Sequence, residues 1–144
     1  MRNQSNVCRV LVVDGQGGGI GSQLVKQLRA CLPEDCELIG VGTNVLATNA
    51  MLKAGAGYGA TGENAIVFNA ARADIILGPI GIVMANGIWG EVWAKMGTAC
   101  WGADAKKILI PSSTCGIYVA GTEECRMEEY LRRAVQVAMQ VITE

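Results

Sequence analysis

The sequence predicts an α/β fold of one domain, a mostly parallel sheet of about five strands with helices on both faces. Three observations carry this expectation. Short, β-branched apolar runs alternate with stretches of helical spacing along the 144 residues. The first such run leads straight into a glycine-rich turn, Val13 to Gly21. An apolar content of 51% is enough to bury a core on both faces of a sheet.

The elements follow in order. Cys8 to Val13 (Cys-Arg-Val-Leu-Val-Val) reads as the first strand, of the kind buried on both faces. Beyond the glycines, Ile20, Leu24, Val25 and Leu28 fall at helical spacing until Pro33 ends the pattern. Leu38 to Val41 is the second strand, closed by Gly42-Thr43-Asn44, and Val45 to Lys53 is a helix that stops at Gly55-Ala56-Gly57. A second glycine-rich stretch, Gly55 to Gly62, ends where Thr61 is placed to cap a helix running to about Ala73. Asp74 to Leu77 is read as the third strand, cut by Gly78-Pro79, and Ile80 to Ala85 fits strand or helix equally. A helix is expected over Asn86 to Cys100 with a break near Gly90, then a fourth strand over Lys107 to Ile110 ending at Pro111. The polar loop Ser112 to Gly116 leads to a short fifth strand, Ile117 to Ala120. A final helix, about Glu123 to Ile142, lines up Met127, Tyr130, Leu131, Ala134, Ala138 and Val141 on one face.

Twelve basic and thirteen acidic residues, scattered along the chain, give a formal net charge of −1. That balance argues against a nucleic-acid groove or an anionic membrane patch. The polar start, Met1 to Asn6, has no apolar signal region, and Gly, Pro or charge interrupts every apolar stretch before it could span a bilayer, so a soluble cytoplasmic protein is expected. The six cysteines (Cys8, Cys31, Cys36, Cys100, Cys115 and Cys125) form no Cys-x-x-Cys pair. They read as small core residues or bystanders, and no metal site is expected. Histidine is absent, which removes the commonest general acid/base near neutral pH and the commonest zinc ligand.

In a parallel sheet the ligand crevice lies at the carboxyl ends of the strands, near the switch in strand order. The loops there supply the candidate binding residues: Asp14, Gly15, Gln16, Gly17, Gly18, Gly19, Ile20 and Gly21 from the first turn, Thr43 and Asn44 from the second, then Gly78, Pro79 and Ser112. Five glycines within Gly15 to Gly21 allow backbone to approach a pyrophosphate without Cβ clash, and the N–H groups opening the next helix face the anion. The bland reading is a tight strand-to-helix connection and nothing more. Asp14 is a complication, because a carboxylate beside a phosphate is repulsive unless it points away, caps the loop or holds a metal ion.

The dinucleotide fingerprint G-x-G-x-x-G fails, since Ile20 stands five residues after Gly15. Gly15, Gly19, Ile20 and Gly21 instead match the spacing of a second fingerprint, and the stretch Val10 to Leu28 resembles the first turn of the short-chain dehydrogenase/reductase family, with Asp14 where that family usually has Thr. That resemblance implies NAD(P) or another nucleotide as ligand. The family's Tyr-x-x-x-Lys pair is missing, because Tyr58, Tyr118 and Tyr130 are followed four positions later by Gly62, Thr122 and Ala134. In place of the ribose-binding acid expected about twenty residues beyond the glycines, the chain offers Gly42-Thr43-Asn44. A second resemblance covers most of the chain. The segments at 13–21, 42–48, 50–56, 59–65 and 74–81 are similar to a family of short bacterial Rossmann-like proteins catalogued as a domain of unknown function.

Other residues are weighed against plainer roles. Thr43, Asn44, Thr48, Asn49, Thr61, Glu63 and Asn64 read first as turn and cap chemistry; were they to line the crevice, Glu63 would be the nearest acid/base. Cys115 stands in a loop where backbone N–H groups would lower its pKa, against the simpler reading of an inert thiol. Trp89, Trp93, Met96 and Cys100 make a helical stripe, read as core first and subunit interface second. With a mean hydropathy of +0.30, the chain is expected to form a homo-oligomer. The leading expectation is a small nucleotide-binding protein. The alternatives are an enzyme acting on a phosphorylated small molecule through Cys115 or Glu63, and an oligomeric scaffold with no ligand.

Overall fold

The structure, a computed structural model, describes residues 8–111 and 116–144. Strand β1 (Arg9–Asp14) leads to α1 (Gly19–Cys31), β2 (Glu37–Gly42), α2 (Val45–Ala54), β3 (Tyr58–Thr61) and α3 (Glu63–Ala70). The chain continues through β4 (Ile75–Pro79), a 3-10 turn (Ile80–Val83), α4 (Ala94–Gly102), β5 (Lys106–Ile110) and α5 (Met127–Thr143). The five strands pair in the order β3-β2-β1-β4-β5, all parallel. The expected α/β architecture is therefore present, with β1 at its centre.

Alternation along β1 explains the three layers. Val10 and Val12 point to one face, where they meet Leu24, Val25 and Leu28 of α1, Met51 of α2, and Leu131, Ala134 and Ala138 of α5. Leu11 and Val13 point to the other and pack with Ile66 and Ala70 of α3 and Met96 and Cys100 of α4. A strand buried on both faces has to be apolar at consecutive positions, which is why the run reads Val-Leu-Val-Val. Burial also pushes the Cys100 thiol up to about 11, against a smaller opposing pull from Lys107, consistent with a packing role for that cysteine.

Four expectations are corrected. The second glycine-rich stretch holds a strand, β3, that the sequence hides: it is an exposed edge strand without an apolar run, and Gly59 lets the exposed Leu52 side chain lie against it. Thr61 does not cap α3, whose cap position is Gly62; its hydroxyl instead lies 2.7 Å from that of Thr48. Residues 117–120 form no strand; 118–120 are exposed, and the stretch is flanked by left-handed Gly116 and Gly121. Residues 86–93 are not helical either. Asn86, Ile88, Trp89 and Gly90 all have positive φ, and Gly87 bridges Val92 in antiparallel fashion. The tryptophan stripe therefore does not exist as a face: Met96 and Cys100 are buried, while Trp89 is 86% exposed. Among the described residues no helix is long and apolar enough to cross a membrane.

Leu11 is fully buried at the centre of the sheet. Leu11→Ala is expected to lower the unfolding free energy by about 2–5 kcal/mol in a urea titration, and a smaller loss would contradict this account of the core.

Candidate functional site

The strand order reverses between β1 and β4, so the carboxyl ends of these two strands border the switch-point crevice. The turn from β1 to α1 stands at that end of the sheet. Asp14, the last residue of β1, is only 5% exposed, and its carboxylate folds back over the turn. The Gly15 N–H donates to Oδ1 at 2.8 Å and the Gly21 N–H, in the first turn of α1, donates to Oδ2 at 2.6 Å. Of the arrangements that reconcile this acid with the turn, the structure shows loop capping. Burial raises the Asp14 pKa above its ordinary value of 3.8; the Gly21 and Gly15 hydrogen bonds oppose that rise and the charge of Glu91 adds to it.

Three of the glycines are required by packing. A Cβ on Gly15 would lie 2.7 Å from Thr43 Oγ1, and one on Gly21 would lie 2.8 Å from Asp14 Cβ. Gly18 has φ 73° and backbone of Ala47 within 2.8 Å of a notional Cβ. Gly17 and Gly19 differ from these. Both are exposed, neither has positive φ, and a Cβ on either would meet nothing within 4 Å. The N–H groups of Gly17, Gly19 and Ile20 have no hydrogen-bond acceptor among the described residues.

A second carboxylate closes part of the turn, and sequence reasoning missed it. Glu91, carried by the irregular segment 84–93, accepts the Gln16 N–H at 2.8 Å on Oε1. Its Oε2 accepts from the Thr43 hydroxyl at 2.6 Å and from Asn44 Nδ2 at 2.8 Å. Asn44 also caps α2, its Oδ1 accepting from the Ala47 N–H, and donates to the Gln16 carbonyl. Burial works against the Glu91 charge, but the donors from Thr43, Asn44 and Gln16 outweigh it and hold the carboxyl below its ordinary value of 4.5. One signal was there to be read: Glu91 is the only charged residue between Asp74 and Lys95.

The structure thus brings Asp14 to Gly21, Thr43, Asn44 and Glu91 together. Gly78 and Pro79 lie at the same sheet edge but are buried in β4, where a Cβ on Gly78 would lie 2.2 Å from the Val13 carbonyl oxygen. Gly78 therefore serves the close approach of β4 to β1. Glu63 is engaged elsewhere, accepting from Trp93 Nε1 at 2.9 Å and facing Lys95 at 3.4 Å. Thr48 joins β2, α2 and β3, its hydroxyl oxygen accepting the Gly42 N–H at 3.1 Å. Ser112 and Cys115 fall outside the described residues. A cavity of about 400 Å³ opens at the opposite edge of the sheet, beside Cys8, Cys36, Asp74 and Asp104, away from the glycine turn.

Strand order, parallel pairing and the glycine turn at the switch point define a Rossmann-like α/β protein. The chain belongs to the family described as a domain of unknown function, DUF3842, whose pattern matches residues 9–143. A comparison with curated proteins gives no match. Among solved structures, the chain is similar to a dodecameric FMN-dependent UbiX-like decarboxylase from Escherichia coli O157:H7, at 15% identity, over 91% of this chain and 93% of that chain, with a TM-score of 0.49.

The two carboxylates respond to pH in opposite senses. Glu91, lowered in the fold, contributes stability that is present above pH 4.5 and lost as the pH falls through its folded value. Asp14, raised in the fold, contributes stability that is present below pH 3.8 and lost as the pH rises through its folded value. Glu91→Gln removes the Glu91 contribution together with the part of the Asp14 shift that the Glu91 charge causes, and both also vanish from the native chain once Glu91 is protonated, so the difference in melting temperature between the two should shrink as the pH falls below 4.5. A difference that stays constant through the acid range would refute this reading of the Glu91 contacts.

Proposed function

We propose that this protein binds a phosphate-bearing, nucleotide-like small molecule in the switch-point crevice, with the phosphate on the exposed N–H groups of Gly17, Gly19 and Ile20. One observation carries the reading. Packing or backbone conformation accounts for Gly15, Gly18 and Gly21, but neither accounts for Gly17 or Gly19, whose missing side chains leave bare amides at the opening of α1. A helix N-terminus with unpaired amides favours an anion. The glycine spacing shared with the short-chain dehydrogenase/reductase family agrees with this ligand class and keeps NAD(P) within it. Asp14 and Glu91 hold other amides of the turn, which leaves the outer rim as the part free to take a ligand.

Gly19→Ala is expected to leave the melting temperature unchanged or higher while weakening ligand protection, and Gly19→Asp to abolish protection. Thermal shift with ADP, NAD, NADP and FMN on the native chain and both variants is the measurement. A native chain that responds to none of them, or variants protected as well as it is, would overturn the proposal.

A second property, self-association, is favoured by the aromatic surface. Trp89 (86%), Trp101 (68%) and Tyr118 (92%) are exposed, together with Leu46 (73%). Side chains of this kind are enriched at protein interfaces, so native mass spectrometry is expected to return a homo-oligomer. A monomer at micromolar concentration would remove this property and leave the ligand reading standing.

A further inference from the structure

We infer that Glu91 is a specificity-determining residue of this crevice: its carboxylate accepts a ribose hydroxyl of the bound nucleotide and excludes a phosphate from that position. The inference rests on the nucleotide reading above and goes further by naming the part of the ligand that is selected and the group that selects it.

The argument starts from where Glu91 is held. Parallel α/β nucleotide sites place an acid at the end of the second strand to accept a ribose hydroxyl. Here β2 ends in Gly42, and the next two residues, Thr43 and Asn44, carry no charge. Both of them donate to Glu91, at 2.6 and 2.8 Å. The acid that β2 lacks is thus supplied to its end by a segment 48 residues further along the chain. The Gln16 N–H fixes the other oxygen at 2.8 Å, next to Gly17 on the open rim of the turn.

Acceptor capacity gives the second step. A carboxylate offers about four lone-pair sites. Oε2 takes two donors and Oε1 takes one, so one site on Oε1 remains for a hydroxyl from a ligand. Three donors keep the group ionised at neutral pH, and an ionised carboxylate can only accept. It therefore rewards a hydroxyl and repels a phosphate attached at the same ribose carbon.

The test is a calorimetric titration of the native chain and Glu91→Gln with four probes: inorganic pyrophosphate, adenosine 5′-monophosphate, its 2′-deoxy analogue, and adenosine 2′,5′-bisphosphate. The native chain is expected to bind the monophosphate about tenfold tighter than the 2′,5′-bisphosphate, with the deoxy analogue between them. Glu91→Gln should bring the monophosphate and the bisphosphate to within about threefold of each other. Equal binding of monophosphate and bisphosphate by the native chain overturns the inference while pyrophosphate binding leaves the ligand reading intact. A Glu91→Gln chain that binds every probe more tightly, with the ratios unchanged, overturns it as well, because Glu91 would then be an internal competitor for the seat. If no probe binds, pyrophosphate included, both readings fall. The native ratios need no variant, so the inference stays testable if Glu91→Gln does not fold.

Discussion

Asp14 carries a carboxylate into the interior where β1 stops and α1 begins, and the glycine turn is arranged to answer that charge. Taking a carboxylate out of water costs several kcal/mol unless hydrogen bonds satisfy it. The Gly15 and Gly21 amides do so, aided by the positive end of the α1 dipole. The compensation is incomplete, as the raised pKa of Asp14 records. It is nevertheless what sets the entry angle of α1, because Gly21 can donate to Asp14 only by approaching so closely that a side chain there would collide with it.

A second carboxylate on the same turn divides the seat. Asp14 holds the inner amides, Glu91 holds that of Gln16, and the outer amides of Gly17, Gly19 and Ile20 stay open. Magnitudes decide whether an anion is still welcome there. Two unit charges 4 Å apart in water repel by about 1 kcal/mol, whereas a hydrogen bond to a charged group contributes about 1.5–3 kcal/mol. Asp14 is buried and so less screened, at about 4 kcal/mol for the same separation at an effective dielectric of about 20, and three open amides are needed to offset it together with Glu91. On the proposed reading, the balance shifts against a ligand bearing a further negative group close to Glu91.

The sheet was legible wherever a strand is buried on both faces, because such strands must be apolar without interruption. The residues of β1 and β4 announce themselves in this way, and the glycine turn after β1 marks the carboxyl end of the central strand. The edge strand β3 was illegible for the converse reason: Tyr58-Gly-Ala-Thr faces solvent and needs no apolar run. Ile117 to Ala120 misled because a short β-branched stretch looks the same whether or not a neighbouring strand is there to pair with it. At the site, Asp14 and the turn could be read directly, since both lie within one short stretch of chain. Glu91 could not, because its role depends on a fold-back of the segment 84–93 through left-handed Asn86, Ile88 and Trp89, and although Asn tolerates that conformation, Ile88 and Trp89 give no hint of it.

That fold-back has an energetic consequence. Left-handed backbone costs an ordinary residue roughly 1–2 kcal/mol, and Ile88 and Trp89 adopt it in succession, followed by Gly90. The segment holds this shape against its own intrinsic preference, so the contacts of Glu91 act as a latch on a loaded spring. Local opening of such a strip requires far less free energy than unfolding the sheet. Loss of the Glu91 contacts would therefore release this strip first, while the β1 core stays intact.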